Sequence, residues 1–166
     1  MKNYIFVVCL CVFFVLGFNQ SAEAFKDINL EEVQAQAEKG DSVAQTKLGV
    51  AYSTGTKIGQ DKKKAAEWYG KAAKQGYASG QWNLAFLYIR GEGVEQDDIK
   101  ARELFQKAAD QEFPPAEYDL GMMHLYGMGG KRNRTEALKW VHKAADHNYK
   151  EAIGYLKAQG EYNKKD

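Results

Sequence analysis

Apolar residues recur along this chain with a helical period. Between residues 44 and 52 they fall at Ala44, Leu48, Ala51 and Tyr52. That i, i+4, i+7, i+8 stripe puts one face of a helix against a core. A second stripe follows at Ala65, Trp68, Tyr69, Ala72 and Ala73. Gly55 and Gly59 break the chain between the two helices, and Gly76 ends the second. Asp61 stands where an N-cap accepts a bond from a free amide of the first turn. No segment alternates with period two over a useful length, so no sheet is expected.

This helix pair is repeated. Lys-Ala-Ala begins at Lys71, Lys107 and Lys143, and Leu48, Leu84, Leu120 and Leu156 keep the same spacing of 36 residues. Ala65, Ala101 and Ala137 are in step, as are Trp68, Leu104 and Trp140, and Gly55, Gly91 and Gly127. The register places three gapless units at 42–77, 78–113 and 114–149, each with a helix A and a helix B. A period of this length marks a stacked array, because one unit cannot bury its apolar face alone. Asp97 and Asn133 inherit the capping role of Asp61, and Glu136 gives Asn133 capping-box spacing. Pro114 and Pro115 suit the first turn of the third helix A.

The flanks are half units. Residues 25–41 hold a lone helix B over Asn29 to Lys39, and 150–166 hold a lone helix A over Lys150 to Ala158 plus a tail. Both are more polar than the inner units, as the ends of a stack must be. The expected fold is all-α, a right-handed α/α superhelical solenoid of antiparallel helix pairs.

The N-terminus has another composition. Lys2 precedes an apolar run from Tyr4 to Leu16, and Ala22-Glu23-Ala24 has a small-x-small pattern. Basic start, short apolar middle and small-residue end together predict a secretory signal over residues 1–24. A retained anchor is the alternative, but the run is shorter than the ~18 residues that span a bilayer. Cys9 and Cys11 lie within it, and neither follows the small residue that precedes a lipidated Cys. The chain from Phe25 onward carries no Cys, so an exported product would rely on packing in a compartment that permits disulfides. The expected location is the periplasm, with full secretion the variant. A net charge of +1 gives no global field for nucleic acid or anionic lipid, and neither a nucleic-acid partner nor stable membrane insertion is expected. With 45% hydrophobic residues the chain is not disordered. A monomer is expected.

Several motifs resemble the Sel-one-like repeat family, an α-solenoid branch related to tetratricopeptide repeats. They are A-x-x-x-L-G-x-x-Y at Ala44, Leu48, Gly49 and Tyr52, and G-x-G-V at Gly91, Glu92, Gly93 and Val94. D-x-x-K-A follows at Asp61, Lys64 and Ala65, and W-Y-x-K-A-A-x-x-G at Trp68, Tyr69, Lys71, Ala72, Ala73 and Gly76. The resemblance covers residues 29–158. Departures are His124 at the Tyr52 position, Ala85 at the Gly49 position, and Lys57-Ile58 in place of Gly93-Val94. A secreted branch of the family carries a Cys pair in each repeat, which this chain lacks. The resemblance implies a non-catalytic scaffold or adaptor that binds another protein or peptide, with no cofactor. It also suggests a periplasmic immunity or inhibitor protein acting on a secreted toxic effector, and a hydrolase of β-lactamase type. The missing Cys pairs and the missing S-x-x-K motif count against the last.

The candidate binding residues lie on the second face of helix A. In unit one that face is mostly small or polar: Val43, Thr46, Val50, Ser53 and Thr54. In unit two it carries Trp82, Phe86, Ile89 and Arg90, and in unit three Tyr118, Met122, Leu125 and Tyr126. Trp, Tyr, Arg and Met are enriched at interface hot spots, and a contiguous apolar patch marks an interaction site. In tetratricopeptide-like stacks this face lines the concave groove. A tightly wound stack would instead bury it between neighbouring helices, and both readings remain open at the level of sequence. His124, His142 and His147 have no metal-ligand spacing. Lys62 to Lys64 and Lys131 to Arg134 read as solvated edges. The segment Gly127 to Arg132 lacks the spacing and the Ser/Thr of a P-loop.

Overall fold

The computed structural model describes residues 29–162. The expected signal segment, the first residues of the N-terminal cap and the last four residues lie outside the described residues. Within them the secondary structure is entirely helical: α1 (Leu30–Glu38), α2 (Ser42–Thr54), α3 (Lys62–Lys74), α4 (Ala78–Arg90), α5 (Asp98–Ala109), α6 (Pro114–Tyr126), α7 (Arg134–Asp146) and α8 (Lys150–Gln159). Each helix packs on the next, and α2 also touches α4. The result is the right-handed α/α solenoid of antiparallel pairs that the periodicity predicts. The even-numbered helices are the A helices, and the odd-numbered are the B helices.

The caps hold as predicted. Asp61, Asp97 and Asn133 each accept the backbone N–H three residues on, at 3.0, 3.0 and 3.1 Å. Asp41 does the same for α2, and Asn29 caps α1 by accepting the amides of Glu31 and Glu32. Pro114 and Pro115 occupy the first turn of α6, where their missing amides cost no intrahelical bond. Gly55, Gly91 and Gly127 close the A helices in the left-handed conformation.

Gly93 and Gly129 explain the second glycine of the inter-helix loop. A Cβ at Gly93 would strike the Lys62 carbonyl, and one at Gly129 the Asp98 carbonyl. The A-to-B loops of units two and three therefore lie directly on the first turn of the preceding helix B. Lys57 keeps the left-handed turn at φ 61°.

The core is a strip of overlapping clusters. Val33, Ala37, Ala44 and Leu48 join α1 to α2. Ala65, Ala66, Tyr69 and Leu87 join α3 to α4. Phe105, Leu120 and Met123 are centred in the third cluster, and Val141, Ala152 and Leu156 in the fourth. The alanines of the repeated Lys-Ala-Ala triplets are the small residues that let neighbouring helices approach.

Candidate functional site

The eight candidate residues do not share one environment. Phe86, Met122 and Leu125 are buried inside the core clusters, so they join neighbouring helices. Trp82, Ile89, Arg90 and Tyr118 are half-buried, and Tyr126 is 52% exposed. The accessible part of the face is thus the outer portion of Trp82, Ile89, Arg90, Tyr118 and Tyr126, resting on a buried layer of Phe86, Met122 and Leu125. Val43, on the same face of α2, is also exposed.

Aromatic rings order this surface. The Trp82 ring stands edge-on to Phe86 at 4.9 Å and to Phe113 at 6.1 Å. Phe86 in turn meets Phe105 at 5.2 Å. The Arg90 guanidinium lies over Phe86, 5.5 Å from its centroid. Tyr118 packs against Tyr149, the last residue of unit three and the N-cap of α8, at 5.7 Å. Such edge-on pairs fix ring orientation as well as burying area.

A carboxylate that sequence reasoning passed over sits at the centre. Asp119 is only 8% exposed, and its Oδ2 accepts the Trp82 indole N–H at 2.7 Å. Burial pushes its carboxyl up to about 7, the indole bond opposes the rise, and Glu151 adds to it. Burial likewise raises the Tyr118 and Tyr149 phenols, with the Asp119 charge as the next cause. The site is therefore an aromatic surface around one deeply set acidic group. The signal in the sequence is weak: Asp119 is in phase with Asn83, and nothing local marks it as buried.

A second polar series joins the units. Gln45 and Gln81, 36 residues apart, are both 4% exposed. Their side-chain amides donate to the carbonyls of Ala37 and Ala73 at 3.1 and 3.4 Å. Their oxygens accept from Gln75 and Gln111 at 2.7 and 2.8 Å. Unit three replaces the pair by Glu117 and His147, with His147 Nδ1 2.8 Å from Glu117 Oε2. Lys143 Nζ lies 3.1 Å from the other oxygen of this fully buried carboxylate. The charge is held by two partners from α7 and the turn that follows it.

Of the other histidines, His124 lies 2.6 Å from Arg102 Nη2. Burial, then the Arg102 charge, lowers its basicity. His142 is exposed. Among the described residues no cluster of His, Cys, Asp and Glu is arranged to hold a metal ion, and no helix is long and apolar enough to cross a membrane.

Comparison with known proteins agrees with this architecture. The family model of the Sel1 repeat matches residues 42–77, 78–113 and 114–149. A protective antigen of uropathogenic Escherichia coli displaying an SLR fold has a crystal structure similar to this chain. It shows a TM-score of 0.74 and 34% identity, over 81% of this chain and 29% of that one. A Sel1 repeat protein from Oxalobacter formigenes gives a TM-score of 0.72 and 35% identity, over 75% of this chain and 36% of that one. This chain thus spans about a third of the length of these two relatives. Helicobacter pylori cysteine rich protein B shares the fold, with a TM-score of 0.65 and 23% identity over 76% of this chain and 94% of that one. Comparison with curated proteins gives no match. Proteins of this kind are generally protein-interaction scaffolds and typically non-catalytic. Three consecutive matches, in register with the helix pairs and the glycine turns, make the chain a member of the Sel1 repeat family.

Proposed function

We propose that this protein is an exported, non-catalytic adaptor that binds a partner protein or peptide on the A-helix face of units two and three. The observation that carries the reading is the exposed edge of that face. Tyr126 is exposed and Tyr118, Ile89 and Arg90 are half-buried on this face, while Phe86, Met122 and Leu125 are held in the core. A rigid aromatic surface with a buried floor matches the composition of interface hot spots. Arg90 supplies the charge that pairs an acidic group of the partner. Export rests on the N-terminal pattern of Lys2, Tyr4 to Leu16 and Ala22-Glu23-Ala24.

Trp82→Ala is a poor test, because it removes the indole donor from buried Asp119 and perturbs the fold. Photo-crosslinking from single exposed sites is cleaner. A benzophenone side chain at Tyr126 is compared with one at Ile99, which is 61% exposed on the helix-B side. In periplasmic extract, a discrete adduct from position 126 and none from 99 is expected. Its loss on adding Tyr118→Ala would place the contact on this face. Equal adducts from both positions, or an adduct from 99 alone, would refute the proposal.

A further inference from the structure

The clefts between successive B helices differ. Each is set by the same repeat positions, so one unit serves as the standard for the next. Between α1 and α3 the residue is Leu30, which with Tyr52 and Trp68 packs against the cluster of Val33, Ala37, Ala44 and Leu48. Between α5 and α7, Arg102 stands at the equivalent position. It crosses the cleft to His124, and its guanidinium lies where a Cβ on Gly130 would fall. Between α3 and α5 the residue is Ala66.

Two further positions change with it. Gly70 stands where Gln34 and Gln106 stand in the flanking B helices, and Leu104 stands where Trp68 and Trp140 do. A cleft of about 500 Å³ results, with Ala66, Gly70 and Ala73 on one wall and Leu84, Tyr88 and Leu104 facing them. That volume lies within the range of ligand-binding sites, and its floor is apolar.

The rim is cationic. Lys63, Lys74 and Lys107 surround the cleft, against the single carboxylate of Glu67. At the Lys74 position the other B helices carry Glu38, Asp110 and Asp146, so the charge is reversed only here. The lysines equivalent to Lys107 are engaged: Lys71 lies 3.5 Å above the Trp68 ring and Lys143 5.3 Å above Trp140. Lys107 has Leu104 beneath it and no ring. Among the described residues no carboxylate forms an ion pair with Lys63, Lys74 or Lys107.

From this we infer that the α3–α5 cleft is a second binding site, taking an acidic segment of a partner polypeptide in which an apolar side chain is flanked by carboxylates. The apolar side chain occupies the space beside Val94 that Leu30 takes in the first cleft, and the carboxylates meet the three lysines. Leu84 and Tyr88 lie roughly opposite Trp82 and Phe86 around α4, so this site is separate from the proposed A-helix face. It stands or falls independently of that face.

The test uses ¹⁵N-labelled protein and two peptides, Glu-Asp-Leu-Phe-Asp-Glu-Leu and Lys-Lys-Leu-Phe-Lys-Lys-Leu. The acidic peptide is expected to shift the amide signals of Gly70, Lys74 and Lys107, and the basic one to leave them in place. Ala66→Leu with Gly70→Gln rebuilds the plug of the first cleft, where Ile58 stands at the Val94 position, and should abolish the shifts. A Cβ at Gly70 meets nothing within 4 Å. Lys63→Glu with Lys107→Glu changes only exposed side chains and should weaken acidic-peptide binding roughly tenfold. The inference is overturned if the acidic peptide leaves these amides unmoved or the basic peptide shifts them equally. Unchanged binding by either double variant would overturn it too.

Discussion

Asp119→Asn isolates the energetic role of the buried carboxylate. Its carboxyl titrates near 7 in the fold, against an ordinary value of 3.8. Between those values the folded protein holds a proton that the unfolded chain has released. Folding stability therefore falls as pH rises through this window, and the loss is complete above the folded value. The gap corresponds to about 4 kcal/mol as a ceiling, because side chains relaxing around the ionised form lower the cost. Asparagine keeps an oxygen to accept the Trp82 indole and has no charge at any pH. Unit two already has asparagine, Asn83, at the equivalent place. Urea unfolding followed by Trp fluorescence, in steps from pH 4 to pH 8, reads the effect. Wild type and variant should be nearly equal at pH 4, with the variant more stable by on the order of 2–4 kcal/mol at pH 8. The difference cancels titration of the histidines, which are common to both proteins. Parallel pH profiles would refute the account of Asp119. A variant less stable at every pH would show that the indole bond requires the carboxylate.

Gly49→Ala should destabilise the protein by roughly 1–3 kcal/mol, because the new methyl falls on the buried Tyr69 ring; Gly154→Ala, with nothing within 4 Å, should stabilise it by up to about 1 kcal/mol. Paired urea titrations give both signs. His147→Ala should cost about 1–3 kcal/mol by leaving buried Glu117 with Lys143 alone, a figure limited by the half-buried state of His147. Adding Glu117→Gln to that variant should recover part of the loss in thermal unfolding, since a neutral amide needs no counter-charge.

Much of the fold was legible because the chain repeats itself. Asp61, Asp97 and Asn133 recur at one spacing, as do the turn glycines, and each repetition strengthens the assignment of a cap or a turn. The A-helix face was harder. A helical stripe separates one buried face from the rest, but an inner A helix touches the B helix before it, the B helix after it and a neighbouring A helix. Phe86, Met122 and Leu125 are therefore buried although they lie off the stripe. Asp119 and Glu117 escaped notice for a related reason. A charged residue on a helix reads as solvent-facing, and the groups that partner these two come from 26 or more residues away. The widened α3–α5 cleft is visible only when Ala66, Gly70 and Leu104 are taken together, because each change alone is ordinary.

The links between units also give the array a fixed order. Unit two is tied to unit one by Gln81, whose amide reaches the Ala73 carbonyl. Glu117, at the same position of unit three, has no N–H to offer Ala109. The ties between units two and three are instead Arg102 against His124 and the indole of Trp82 donating to Asp119. Unit one has Thr46 at the Trp82 position and could not supply that donor. A spliced copy of unit two would find its acceptor on unit one or on another unit two. Unit three needs unit two before it. The backbone is made of interchangeable parts, whereas the side chains define a first, a second and a third.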